Sequence, residues 1–240
     1  AGAGTSGVST VFGVKENNFL GKGIKLDSNL LISSEGVRGL FSFINPNYKN
    51  TDKDLILSIE SSETDRIKDF GYRSSLHGLS VGTRFEYRDD FFITPTISSY
   101  YEGLKTSSTA SNSLKKQEGD YFDTILSYVL DLDRRDQLYQ PRDGFRSRFS
   151  QEIPVLSDNP SIINGYEINS YYEYLSDVVA SASFYVSSAN SIGNKDVKIS
   201  DRLYLPSKKL RGFEPGKVGP VDNGDFVGGN YITAINLSSD

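Results

Sequence analysis

Few residues of this chain have the types and spacing that catalysis or metal binding needs. One group of carboxylates lies close enough in sequence to suggest a cation site, and its members are Asp131, Asp133, Asp136 and Asp143. The spacing differs from that of an EF-hand loop, and arginines lie between the aspartates. We therefore interpret this group as a charged turn.

Other chemical patterns are weaker still. The only histidine, His77, lies in strand-like sequence without a nucleophile elbow, so a Ser–His catalytic site is not indicated. Glu167 and Glu173 have the residue type of paired glycosidase carboxylates, but the lining of a polar lumen explains them better. The chain has no Cys, which excludes a disulfide framework and a thiolate metal site. We predict no enzyme, with no catalytic residue, no metal and no cofactor.

The composition restricts the class of protein. The 240 residues include 22 Gly, 15 Tyr and 14 Phe but no Met, which indicates a piece of a longer protein. A net charge of −5 gives no support for binding nucleic acid. There is no apolar run of about 18 residues, so any passage through a membrane requires a closed barrel.

The elements that position these residues are strands, because apolar and polar residues alternate with a period of two nearly everywhere. In one clear case, apolar positions from Leu79 to Tyr87 alternate with Ser80, Gly82, Arg84 and Glu86. The alternation predicts twelve strands near Gly2–Gly4, Val8–Glu16, Ile24–Ser33, Val37–Asn45, Leu55–Asp65, Tyr72–Tyr87, Phe91–Thr106, Tyr121–Asp131, Gly144–Pro154, Tyr166–Leu175, Val179–Ser188 and Asn230–Leu237.

Strand length and connections favour a membrane barrel over a soluble sandwich. Several predicted strands reach the roughly 9 to 11 residues that a transmembrane strand needs. Tyr87–Phe91 and Leu175–Val178 are tight turns, whereas Thr64–Gly71 and Lys105–Asp120 are longer polar loops. Short turns at one end and long loops at the other are typical of outer-membrane barrels.

The segment from Leu205 to Asn230 is unusual because it is long, rich in Gly and Pro, and without strand-like alternation. Long irregular loops are usually functional. If this loop folds into a lumen, Arg211 should meet acidic residues on the inner wall, since a buried unpaired charge is very costly. Lys208 and Lys209 are interpreted as solvated loop charges, with contact to lipid head groups as an alternative.

Four motifs in this sequence resemble those of the BamA superfamily, the bacterial surface antigen superfamily. The tetrapeptide Leu210, Arg211, Gly212 and Phe213 is similar to the family's Val-Arg-Gly-Phe/Tyr loop signature, with Gly219 and Pro220 following. The other three motifs are turns that match in order, namely Asn17–Gly23, Asn45–Tyr48, and Leu132–Asp136 with Pro141–Gly144.

The resemblance implies an all-β fold, an antiparallel transmembrane β-barrel with about twelve of an expected sixteen strands present. Residues 1–240 would form one barrel domain, truncated at both ends, with the periplasmic repeats and the last strands absent. The signature loop would tuck inside the barrel, and the acidic partner of Arg211 would lie in the missing strands.

The function that the resemblance implies is the assembly and insertion of β-barrel proteins into the bacterial outer membrane. A weakly paired seam strand near Gly2 and Gly4 would open sideways, since Gly adds no side-chain packing to a strand. The implied partners are nascent outer-membrane proteins, accessory lipoproteins of the assembly complex and outer-membrane lipids.

Three alternatives remain at this point. A relative in the same superfamily would act in polypeptide secretion or autotransporter assembly. A passive porin-type channel is disfavoured, because porins lack the signature loop. A soluble β-sandwich binding module would bury its apolar face between two sheets.

Overall fold

The computed structural model describes residues 2–4 and 7–239 of the chain, and most of them lie in one antiparallel sheet. The strands of this twelve-stranded sheet are β1 (Gly2–Gly4), β2 (Gly7–Phe19), β3 (Ile24–Ser33), β4 (Gly36–Asn45), β5 (Lys53–Arg66), β6 (Tyr72–Arg88), β7 (Phe91–Thr106), β8 (Gly119–Asp133), β9 (Asp143–Ser157), β10 (Ser161–Leu175), β11 (Val178–Ser191) and β14 (Tyr231–Ser239). They are paired in chain order, and a separate hairpin consists of β12 (Val221–Asp222) and β13 (Asp225–Phe226).

The period-two alternation gives the sheet two different faces, because successive side chains of a strand point to opposite sides. One side, called the polar face, carries Glu102, Asp123, Glu152 and Glu167. Large side chains of the other side, called the apolar face, are exposed, and they include Phe12, Leu30, Phe41, Ile59, Leu79, Ile97, Leu126, Phe184 and Leu237. A row of exposed apolar side chains on long strands is the pattern that lipid contact requires.

The alternative of a two-sheet sandwich is wrong. The described residues form one large sheet with no second large sheet packed against its apolar face. The predicted strands are all present and in the predicted order. Several are longer than predicted, most clearly β10, which begins at Ser161 rather than near Tyr166. The hairpin of β12 and β13 was not predicted.

The two ends of the sheet differ in their connections. The turn end holds the connections at 20–23, 46–52, 89–90, 134–142 and 176–177, and the loop end holds those at 34–35, 67–71, 107–118 and 158–160. The tight turns at 89–90 and 176–177 and the longer loops at 67–71 and 107–118 lie at opposite ends, as predicted. Each end also holds a connection of the other kind, namely 134–142 at the turn end and 34–35 at the loop end. The loop end also holds the longest connection, at 192–230, which contains the predicted signature loop.

The main hydrophobic cluster lies at the loop end rather than between two sheets. It is formed by Phe70, Tyr72, Leu104, Ala110, Leu114, Ile199 and Val227, with Tyr121, Tyr204 and Phe226 packed against it. These residues come from three connections and from the strand ends beside them. The long connections therefore form a packed cap over one end of the sheet.

Helical structure is minor and local. The helices are α1 (Ile67–Phe70), α2 (Asn112–Lys115) and two 3-10 turns, Tyr48–Asn50 and Ile199–Asp201. The Ser111 hydroxyl caps α2 by accepting a hydrogen bond from the backbone N–H of Leu114. None of the helices in the described ranges is long and apolar enough to cross a membrane.

Candidate functional site

The loop between β11 and β14, residues 192–230, is closed at its neck by backbone hydrogen bonds. The Leu203 N–H donates to the Gly229 carbonyl at 2.8 Å, and the Gly229 N–H donates to the Leu203 carbonyl at 2.9 Å. These two bonds join the outgoing and returning segments in a short antiparallel bridge. The residues between them, which include the signature tetrapeptide, therefore leave and re-enter the cap at one place.

Aromatic packing fixes this neck in the cap. The Tyr204 ring meets Phe70 edge to face with 5.4 Å between the ring centroids. The Tyr204 hydroxyl donates to the Phe226 carbonyl at 3.2 Å, and burial raises the pKa of this hydroxyl. Gly228 has a φ of +65° and a Cβ there would lie 2.9 Å from the Tyr204 ring, so the close approach requires glycine.

The returning segment of the loop is attached to α1 and to the β7–β8 connection. The Lys217 ammonium lies 3.2 Å from an oxygen of Asp69. The Asn223 side-chain amide donates to the Thr109 carbonyl at 2.8 Å, and the Ser113 hydroxyl donates to Asp222 at 2.5 Å. The hairpin of β12 and β13 is therefore held against its neighbours by polar contacts.

The tip of the loop reaches the polar face of the sheet. The Lys209 ammonium donates a hydrogen bond to Glu167, which lies in the middle of β10, and it lies 5.4 Å from the centroid of the Tyr185 ring on β11. Only 16% of the Lys209 side chain is exposed. The interpretation of Lys209 as a solvated charge is therefore wrong, whereas Lys208 is exposed as expected.

The structure places the six predicted loop residues together in this connection. Leu210 is half-buried, whereas Arg211, Gly212, Phe213, Gly219 and Pro220 are exposed. Across residues 2–4 and 7–239, no carboxylate forms an ion pair with Arg211. Gly212 has a φ of +85°, a backbone conformation that favours glycine. The inward placement of Arg211 therefore stays a prediction, although its neighbour Lys209 is held on the polar face.

The predicted seam residues lie at one edge of the sheet. Gly2 pairs with Ser9 and Gly4 with Gly7, so β1 contributes three paired positions to the ladder with β2. At the opposite edge lies β14. The signature loop is attached to β10 through Lys209, so the two parts of the predicted site lie on different strands of the sheet.

Three of the four aspartates first considered as a cation site, Asp131, Asp133 and Asp136, are engaged by arginines or backbone amides. Asp131 pairs with Arg146 at 2.6 Å, and Asp133 pairs with Arg135 at 2.6 Å. Asp136 accepts hydrogen bonds from two backbone N–H groups of the same turn. The interpretation as a charged turn is confirmed.

The Ser61 hydroxyl and His77 Nδ1 are 2.9 Å apart, as cross-strand neighbours on β5 and β6. Their side chains belong to the apolar face, beside Ile59 and Leu79. The two residues lie directly opposite each other on neighbouring strands, and the hydrogen bond between them satisfies both polar groups.

Comparisons with known proteins identify what the chain is similar to. The Omp85 superfamily domain matches residues 18–238. The sorting and assembly machinery component 50 homolog of Homo sapiens is 26% identical over 232 residues, which cover 95% of this chain and 49% of the human protein. The sorting assembly machinery 50 kDa subunit of Saccharomyces cerevisiae is 30% identical over 135 residues, which cover 53% of this chain and 27% of that protein.

A solved structure shows the same fold. BamA from Haemophilus ducreyi lacking POTRA domains 1-3 has a TM-score of 0.83 and 21% sequence identity, and the match covers 97% of this chain and 50% of that one. The chain therefore spans about half the length of the human relative and of the matched structure. The twelve-stranded sheet is the corresponding part of an antiparallel β-barrel.

Proposed function

The chain belongs to the Omp85 superfamily, and we propose that it forms part of a barrel that assembles and inserts other β-barrel proteins into an outer membrane. The resemblance to the BamA superfamily that the motifs indicated is confirmed by this match and by the fold. The observation that carries the proposal is the long loop, which bears the signature tetrapeptide and binds the polar face of the sheet through Lys209 and Glu167.

The proposed role of the loop is to brace the wall of the lumen beside the signature residues. A polar face in a membrane barrel lines a wet lumen, where charged contacts are tolerated. Lys209 bridges the loop to β10, while Lys217 and Asn223 attach its returning segment to α1 and the β7–β8 connection. We propose that Arg211 forms an ion pair with an acidic residue on strands of the full-length protein that are not part of this chain.

The proposed working surface is the edge at β1. An exposed strand edge presents unpaired N–H and C=O groups and is a template for another strand. The three paired positions of β1, with Gly2 and Gly4 among them, support a weak edge that a client strand can displace or extend. Insertion would proceed by exchange of hydrogen bonds, without a covalent step.

The partners follow as part of the same proposal. They are nascent outer-membrane β-barrel proteins, accessory lipoproteins of an assembly complex, and the surrounding lipids. The names of the human and yeast relatives describe sorting and assembly machinery, which supports a role in assembly. Secretion of polypeptide or assembly of autotransporters is the alternative within the superfamily.

We propose the bacterial outer membrane as the location, supported by the structural match to BamA of a bacterium. A eukaryotic outer membrane is the second candidate, favoured by the human match over 95% of this chain. Fractionation of the source cells, with detection of the full-length protein in separated membranes, decides between the two.

Reconstitution tests the function. The full-length protein is placed in lipid vesicles and an unfolded β-barrel client is added, with client folding followed by heat-modifiable gel mobility. We expect faster client folding than in empty vesicles. Client release to the far side of the membrane without insertion would favour secretion, and folding at the rate of empty vesicles would contradict the assembly role.

A further inference from the structure

Lys198 lies in the base of the long loop, twelve positions before the signature residue Leu210, and its ammonium group is buried. We infer that Lys198 is a positioning residue that fixes the base of this loop to the polar face of β7 and β8, separately from the tip. The inference deepens the proposed function, because the loop is the element proposed to brace the barrel wall.

The contacts of Lys198 join the loop to two strands. Its Nζ lies 2.8 Å from Oε2 of Glu102 on β7 and 2.9 Å from Oδ2 of Asp123 on β8. A third carboxylate, that of Asp201, lies 3.8 Å away within the loop. The side chains of Lys198 and Glu102 are only 4% and 3% exposed, so this is a buried pair rather than a surface one.

Each carboxylate on the wall has a further partner. Glu102 accepts from the Ser74 hydroxyl at 2.9 Å and from the Ser200 hydroxyl of the loop at 3.0 Å. Asp123 accepts from the Ser157 hydroxyl of β9 at 2.5 Å. The ammonium therefore enters a polar pocket that is otherwise satisfied, which is the condition under which a buried ion pair is stable.

The residues on both sides of Lys198 are buried as well. Val197 is 2% exposed, and Ile199 is fully buried and belongs to the cap cluster. The Ile199 N–H donates to the Gln117 side chain in the β7–β8 connection at 2.7 Å. Three successive residues of the loop are thus buried at this place. If Lys198 loses its contacts and the loop base moves away, Val197 and Ile199 become exposed to solvent.

The charges explain why the lysine is needed. Burial alone would lower the pKa of Lys198, but Asp201, Glu102 and Asp123 outweigh burial and raise it. The ammonium therefore stays charged, and its removal leaves Glu102 and Asp123 buried without their cation. Such an uncompensated buried charge strongly destabilises the arrangement that buries it.

Cysteine accessibility in the full-length protein tests this inference. The chain has no Cys, so Val197→Cys introduces one thiol at a buried position, with cysteines elsewhere in the protein replaced. We expect Lys198→Met to raise the maleimide labelling rate of this thiol at least about tenfold. Lys208→Met in the same loop is the matched control, since Lys208 is exposed and should leave the rate unchanged.

A rescue separates positioning from general loss of structure. Adding Glu102→Gln and Asp123→Asn to Lys198→Met removes the unpaired charges, and we expect the labelling rate to return most of the way to that of the parent. If Lys198→Met alone fails to fold, as judged by heat-modifiable gel mobility, we expect the combined variant to fold, since it has no unpaired buried charge. Arg211→Ala should leave labelling at position 197 unchanged.

Two results would overturn the inference. One is labelling of a folded Lys198→Met barrel at the parent rate, and the other is equal acceleration by Lys208→Met. These measurements need no client protein. If labelling responds as expected while client insertion does not occur even in the parent, the inference stands and the proposed function fails.

Discussion

The contact between Lys209 and Glu167 permits a quantitative prediction for the loop tip. Lys209→Met removes the ammonium while keeping most of the side-chain length. A hydrogen bond between charged groups contributes about 1.5–3 kcal/mol, and Glu167 is 33% exposed, which lowers the value to about 1–2 kcal/mol here. The tip should therefore detach roughly 5 to 30 times more often, since 1.4 kcal/mol is about a factor of ten.

Hydrogen exchange of the full-length protein in lipid measures this change. Backbone amides from Leu205 to Gly216 should exchange faster in Lys209→Met by that factor, while amides of Ile168 and its neighbours in β10 should keep their protection. Lys208→Met is the control, because it removes an exposed lysine from the same loop. Equal exchange in the Lys209 variant and in the control would refute the assignment of Lys209 as the tip contact.

Three further predictions concern the turns and the base of the loop. Gly36 has a φ of +141° and a Cβ there would lie 1.8 Å from the Glu63 carbonyl oxygen, so Gly36→Ala should lower the free energy of unfolding by about 1–3 kcal/mol in urea denaturation. Arg142→Ala removes ion pairs to Glu173 and Asp177 that solvent screens, and should leave the urea midpoint close to that of the parent. Burial raises the pKa of Asp201 from 3.8 to about 7, so the docked loop keeps a proton that the released loop loses, and docking should weaken as pH rises from about 4 to about 7.

Each of these three predictions has a control variant or a result that would contradict it. Gly39→Ala serves for Gly36, since its Cβ would meet only the Ser61 carbonyl oxygen at 3.8 Å, and similar losses in both variants would contradict the steric argument. For Arg142, a urea midpoint lowered as far as in Gly36→Ala would show that its ion pairs are not solvent-screened. The pH effect is measured by electron paramagnetic resonance from a spin label in place of Lys195, an exposed residue of the loop base. If Asp201→Asn leaves the pH response unchanged, Asp201 is not its source.

The strands were predictable because burial and lipid contact both impose a period of two on the sequence. The start of β10 was missed because the residues Ser161 to Gly165 include polar side chains and glycine and do not alternate. The backbone ladder continues there regardless, as the pairing of Ile162 with Asn190 shows. Backbone hydrogen bonds extend a strand where the side chains give no signal.

The small hairpin in the loop was missed although a signal was present. Asn223 and Gly224 form an Asn-Gly pair, which favours a two-residue hairpin turn. Their φ values of +50° and +90° fit such a turn. The flanking strands have only two residues each, too few for an alternation to be recognised.

The location of the signature loop could be inferred from its composition and family resemblance, but its contacts could not. Lys209 meets Glu167 across 42 positions of sequence, and Lys198 meets Asp123 across 75. An exposed and a buried lysine look alike in sequence, and the difference arises only when the strands bring carboxylates beneath the loop. For the same reason, Lys208 and Lys209 have different environments although they are adjacent.

The most direct test is whether the loop tip lies on the polar face in the membrane. A short bis-maleimide is applied to the full-length protein carrying cysteines at positions 209 and 167, and separately at 209 and 168, since Ile168 points to the apolar face. We predict a cross-link for the first pair and none for the second. A cross-link to position 168, or none to 167 in a folded barrel, would contradict the placement of this loop inside the barrel.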